Sequence, residues 1–300
     1  MIAMTLNRRQ TLRWGSAALV ALQPLALRAQ APVARVVASF SILADMAQAL
    51  VPDGVQVTAL VGPDADAHVY EPSPADGRRL AQADLVVVNG LGFEGWIDRM
   101  VKVSGYRGTV AVASQGIAPR TGGHHATDPH AWQDLALARR YAANLSAAFA
   151  QRWPAQRDQI ALRGADYRAR IDQLDAQVRD WLGAVPRSQR RVITSHDAFH
   201  YFGAAYGVDF LAPQGWATHS EPSAAAVARL IRQIRQDGVR AIFIENISDP
   251  RLVERIAREG GVRIGGTLYS DALSKPGGPA PTYLRLIEHN ARSLAAALQG

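Results

Sequence analysis

Eight histidines are spread over the 300 residues, and three of them stand where an apolar run gives way to a short polar stretch or the reverse. His68 lies in DAHVYEP after VTALV, His130 lies in TDPHAW before DLALARR, and His196 closes RVITSH. Two acids are placed in the same way, Glu245 at the end of AIFIE and Asp271 at the end of RIGGTLYSD. Imidazoles and carboxylates are the donors for a borderline divalent cation, and they are also the side chains that move protons.

Taken singly, each residue has an ordinary explanation. His68 and His130 suit solvated loops, Asp271 suits a helix N-cap before Ala272, and Glu245 suits a buried acid held by backbone amides. His196, followed by Asp197 and the aromatics Phe199, Tyr201 and Phe202, is expected to be partly buried and in need of a partner. Taken together, three imidazoles and one carboxylate form a four-ligand set suited to zinc, with manganese or iron less favoured.

The elements that must carry these residues follow from hydrophobic period. VARVVASFS, VQVTALV, DLVVVNG and GTVAVAS read as strands between helical segments such as ILADMAQALV and PADGRRLAQA. RVITSH, VDFLAP, AIFIEN and RIGGTLYSD repeat the alternation with SAAAVARLIRQIRQDG and PRLVERIAREGG. The expected fold class is therefore α/β in two halves, residues 30–150 and 187–300, joined through 151–186 by a long stiff helix. Pro154 suits a first helical position, and about 30 residues beyond it predict a rod of about 45 Å weakened at Gly164. Ligands of open α/β sheets collect outside the carboxyl ends of the strands, which is where His196, Glu245 and Asp271 fall.

Residues 1–29 form a separate object. NRRQTLRWG precedes the apolar run SAALVALQPLALRA, an order expected of an export signal, with Arg8 and Arg9 resembling a twin-arginine leader and Ala29 and Ala31 offering a cleavage site. Four of the seven net positive charges sit there, leaving three on the rest, and no stretch interleaves basic and aromatic residues. That argues against a nucleic-acid partner. The chain has no cysteine, so disulfides and a lipid on an N-terminal cysteine are not expected. The mature chain is expected to be a free monomer in the periplasm.

DAHVYEPSP, TDPHAW, TSHDAFHYFGAAYGV, AIFIEN and LYSDALS, in that order, resemble the metal-binding proteins of ABC importers, the cluster A-I solute-binding family that includes zinc and manganese receptors. The resemblance covers about residues 33 to 298. It implies two Rossmann-like lobes joined by a long rigid backbone helix, metal held between them by His68, His130, His196 and Asp271, and delivery to the membrane permease of an ABC importer. Zinc-dedicated members often carry a long loop of histidines and acids before the second ligand, whereas this chain has only TGGHHATD, a weak metal-collecting loop through His124 and His125. Manganese receptors of the family tend to have Glu at the third position, so His196 favours zinc over manganese or iron.

The chemistry expected is capture, not catalysis. Affinity should fall as pH drops through the histidine range, because protons compete for the imidazoles. Release is expected to need movement of the Asp271 loop, whose continuation SKPGGPAP is rich in Gly and Pro. The competing class is a secreted zinc hydrolase with Glu245 as general acid/base, but no HExxH helix and no GxSxG turn is present.

Overall fold

A computed structural model describes residues 33–121, 127–219 and 222–299. The export leader and the pair His124 and His125 lie outside the described residues. The first half runs β1 (Ala34–Phe40), α1 (Ser41–Leu50), β2 (Val55–Val61), α2 (Pro74–Ala81), β3 (Leu85–Val88), α3 (Ile97–Ser104) and β4 (Val110–Val112). Two long helices follow, α4 (Leu135–Arg152) and α5 (Arg157–Gly183). The second half runs β5 (Arg191–Ile193), α6 (His200–Tyr206), β6 (Asp209–Leu211), α7 (Ala224–Asp237), β7 (Ala241–Glu245), α8 (Pro250–Gly260), β8 (Ile264–Leu268) and α9 (Tyr283–Gln299).

The two sheets are parallel, four-stranded and wound alike, in the orders β2-β1-β3-β4 and β6-β5-β7-β8. This is the expected α/β fold with two lobes. In each sheet the chain reverses direction beside its first strand, between β1 and β3 and between β5 and β7, and the loops leaving those strands diverge to open a crevice. The central strand β3 is buried along its whole length, as expected of a parallel strand covered on both faces. In β8 a Cβ on Gly265 would stand 2.6 Å from the Phe243 ring, so glycine lets that ring lie flat under the strand.

The connecting helix differs from the expectation in its start and in its surroundings. Pro154–Gln156 form a 3-10 turn, and the α-helix begins at Arg157. Its 27 residues span about 40 Å at about 1.5 Å each. Ile160, Gly164, Tyr167, Ile171, Leu174, Val178 and Leu182 are buried at helical spacing and pack toward α4, α9 and α1. Gly164 is therefore a crossing point: a Cβ there would meet Ser146 Oγ of α4 at 2.7 Å.

One hydrophobic core runs through both halves, from Val36, Phe40 and Trp132 through Tyr141 and Ile171 to Phe199, Phe243 and Leu294. Smaller cores lie under the outer helices, with Ile193, Leu230 and Ile256 in one and Val86, Leu80 and Ile97 in the other. Helices α3 and α9 add to those read from hydrophobic period. The second supplies Tyr283, Leu286, Ile287 and Leu294 to the shared core, and among the described residues no helix is long and apolar enough to cross a membrane.

Candidate metal centre

Two short turns of the same build place the first two imidazoles. After β2 the chain reverses through Gly62–Ala67, where Asp66 Oδ1 accepts the backbone N–H of His68 at 2.8 Å. Before α4, Asp128 Oδ1 accepts the backbone N–H of His130 at 3.0 Å, and the same oxygen lies 2.8 Å from His130 Nδ1. Both are aspartates two residues ahead of a histidine, the spacing at which the side chain mimics a backbone turn. The second turn is fixed to β3 because Asn89 Nδ2 donates to Pro129 O and Tyr141 Oη donates to Asn89 Oδ1.

His196 stands three residues past β5, bridged to Gln214 in the strand sense. Glu245, the last residue of β7, accepts the His196 N–H at 2.8 Å through Oε1 and places Oε2 2.7 Å from His196 Nδ1. The two strands that flank the second switch point thus cooperate on one side chain. Asp271 follows β8, and no helix begins there, so N-capping does not account for it.

The loop bearing Asp271 is not loosely held, contrary to the reading of SKPGGPAP as its mobile continuation. Trp132 Nε1 and Gln133 Nε2 both donate to Ser270 O, Leu273 N donates to Ser41 Oγ, and Asp64 N donates to Leu273 O. Ser274 and Ala280 then close the loop on each other through their backbone groups at 2.9 Å, and Ser270 through Ser274 are buried. The glycines and prolines make a tight turn, not a slack one. The loop belongs to the second half by sequence, and its hydrogen bonds join it to both halves, since Asn246 Nδ2 after β7 also donates to Ala272 O.

These loops bring four donors together. His68 Nε2 is 3.3 Å from His130 Nε2 and 3.2 Å from Asp271 Oδ2. His196 Nε2 is 3.2 Å from the same oxygen, and His130 Nε2 is 3.5 Å from Asp271 Oδ1. One ligand atom from each residue lies within 4.8 Å of all the others. Four donors at about 2.0–2.2 Å from a shared ion stand about 3.2–3.6 Å apart if tetrahedral, a range that the four separations of 3.2–3.5 Å fall in and that the full span of the set exceeds. His130, His196 and Asp271 are fully buried and His68 is 4% exposed. Phe93 packs edge-on against His68 and His130, and Trp132 against His130, which keeps water out.

Asp271 is the anomaly that needs a partner. Neither of its oxygens receives a well-directed hydrogen bond, although imidazole nitrogens surround it. A buried carboxylate in that state is costly unless a charge completes it. Burial opposes ionisation at every member of the group, but the charges answer one another. Burial pulls His130 down, yet Asp271 and Asp128 outweigh it and push the imidazole up to about 9. His196 is likewise raised well above its ordinary range, against burial, by Glu245 and Asp271. Burial raises Asp271, but His130 and His196 hold its carboxyl well below the ordinary range. His68 goes the other way, lowered chiefly by burial.

Of the residues singled out in the sequence, His68, His130, His196 and Asp271 converge, and Glu245 sits behind His196 as a partner of its far nitrogen. Glu245 Oε1 accepts the His196 N–H and Oε2 stands 2.7 Å from Nδ1 without a well-directed hydrogen bond, on the far side of the ring from Asp271. Asp128 was not singled out, although the repeated Asp-x-His of DAH and DPH is a signal that finds it.

The zinc-uptake complex component A periplasmic family model, ZnuA, matches residues 36–297. The chain belongs to this family. The Treponema pallidum zinc-binding protein TroA is 33% identical over 271 residues, 88% of each chain. Its solved structure superposes with a TM-score of 0.85 at 30% identity, covering 88% of this chain and 99% of that one. The iron-binding protein YfeA of Yersinia pestis is 32% identical, over 87% of this chain and 85% of its own length. The manganese-binding lipoprotein MntA of Bacillus subtilis is 30% identical, over 88% and 90%. This ZnuA-family chain is thus a substrate-binding protein of metal ABC transporters, and its relatives are binding proteins, not enzymes.

Proposed function

We propose that the protein captures one zinc ion through His68, His130, His196 and Asp271 and delivers it to the permease of an ABC importer. The observation that carries this reading is the buried Asp271 carboxylate, unfilled by hydrogen bonds and met by three imidazole nitrogens at 3.2–3.5 Å. Three nitrogens and one oxygen suit zinc, and a closed four-donor set leaves no position for an activated water. Glu245 and Asp128 fix the ring orientation and raise the basicity of His196 and His130. The protein acts as a free periplasmic monomer, exported through the leader that carries Arg8 and Arg9.

The test is metal analysis of mature protein purified from medium with zinc, manganese and iron all limiting, followed by competition titration. One equivalent of zinc retained in preference to the others is the expected result. Manganese or iron held at equal strength supports the second reading, for which the similarity to MntA and YfeA speaks.

A further inference from the structure

All four donors are buried, so an ion needs a way in, and His68 is the member nearest solvent. On the outer side of His68 lies the segment between β6 and α7. Its His219 is exposed, and the His219 ring stands edge-on 6.4 Å from the His68 ring, centroid to centroid. The neighbouring Thr218 donates its hydroxyl to Asp66 Oδ2, the carboxylate whose other oxygen accepts the His68 N–H. One short contact therefore ties the segment of the second half onto the turn that aims His68. Asp66 and Thr218 also line a cavity of about 670 Å³ that reaches Ser195, the residue before His196. Ser195 is buried and its hydroxyl has no hydrogen-bond partner among the described residues.

An exposed imidazole and a carboxylate beside the outermost ligand of a four-donor centre are groups that hold a partly hydrated cation before it sheds its remaining water. We propose that His219, with Asp66 beside it, is an outer holding point that passes the ion to and from His68. The ion exchanges a water for the His219 nitrogen, then exchanges that nitrogen for His68 as it moves inward, and no bond other than metal–ligand bonds is made or broken. Since His219 is not part of the closed set, it changes the rate of exchange and not the depth of the final well. This inference rests on the zinc-receptor reading above.

The experiment is rapid-mixing kinetics of zinc loading and chelator-driven release, with equilibrium titration of the same preparations. His219→Phe keeps an aromatic edge against His68 but no donor, whereas His219→Asp restores a donor. The expected result is that His219→Phe slows loading and release alike by about fivefold or more with affinity within about twofold, and that His219→Asp recovers most of the rate. Rates in His219→Phe equal to those of the unaltered protein overturn the holding point, as does His219→Asp exchanging as slowly as His219→Phe. A large loss of affinity at unchanged loading rate also overturns it, since His219 would then belong to the final site. If the unaltered protein binds no zinc at all, the receptor reading itself fails, a result distinct from the others.

Discussion

Glu245 Oε2 lies 2.7 Å from Nδ1 of His196, on the side of the ring opposite Asp271, whose Oδ2 is 3.2 Å from Nε2. The imidazole is gripped between two carboxylates, one that orients it and one that shares its work. Glu245→Gln keeps the shape and removes the charge. It is expected to weaken zinc binding by about 10- to 100-fold, while the apo protein melts cooperatively as before. His196→Ala should cost more. Calorimetric titration of both variants checks this, and an unaltered affinity in Glu245→Gln would mean that the far nitrogen of His196 has no part in binding.

Proton release on binding is the second expectation. The charges that push His130 up to about 9 and raise His196 well above its ordinary range favour protonated rings in the metal-free protein. Zinc must displace those protons, so binding at pH 7 should release about two protons, and affinity should keep rising until pH passes about 9. The raised His130 also stabilises the apo fold fully below the ordinary histidine value of about 6.5, and that contribution is lost as pH rises through about 9. The thermal shift produced by zinc should accordingly widen over this interval. Titrations in two buffers of different ionisation enthalpy count the protons, and identical heats in both would refute the assignment.

Metal preference can be moved at one position. His196→Glu replaces a nitrogen donor with a harder, bidentate oxygen and should lose more zinc affinity than manganese affinity. The structure adds a condition: the new carboxylate would face Glu245 as well as Asp271 in a dry site. The informative comparison is therefore His196→Glu made together with Glu245→Gln, titrated with both metals near pH 7.5. A zinc-to-manganese ratio that stays level or rises sinks the argument.

Away from the centre, Asp45 of α1 accepts the Tyr283 N–H at the start of α9, and burial, only partly offset by that bond and by Arg170, raises its carboxyl to about 6. The folded value lies above the unfolded one, so the ionised side chain costs stability as pH rises from about 4 to about 6. Asp45→Asn keeps an acceptor for Tyr283 without the charge. It should raise the melting temperature at pH 7.5, by up to about 3 kcal/mol of stability, and have little effect at pH 4. Thermal melts of the metal-free protein at both pH values measure it, and equal effects at the two would contradict a titrating Asp45.

The strands were legible because they rest on local pattern, β-branched runs bounded by turn residues, and His68, His196 and Asp271 stood out just past such runs, whereas His130 precedes a helix and the grouping of the four leaned on the resemblance of the motifs. What was not legible depends on contacts distant in sequence. Gly164 read as a flaw in α5 because its partner Ser146 lies in another helix. The SKPGGPAP loop read as mobile because the bonds of Ser270 and Leu273 to Trp132, Gln133 and Ser41 cross more than a hundred positions. His219 sits in a stretch with no period, and only the packing of that stretch on Asp66 brings it toward His68.

The shared core and the cross-lobe bonds of the Asp271 loop bear on how a transporter meets this protein. Halves that are fused from Val36 to Leu294 cannot swing apart to advertise that the site is empty. On the proposed function, loaded and empty copies are then expected to present similar outlines to the permease and to compete for the same dock. Uptake is expected to scale with the fraction of copies carrying metal, so that making more of the receptor when metal is scarce slows import by crowding the dock with empty copies.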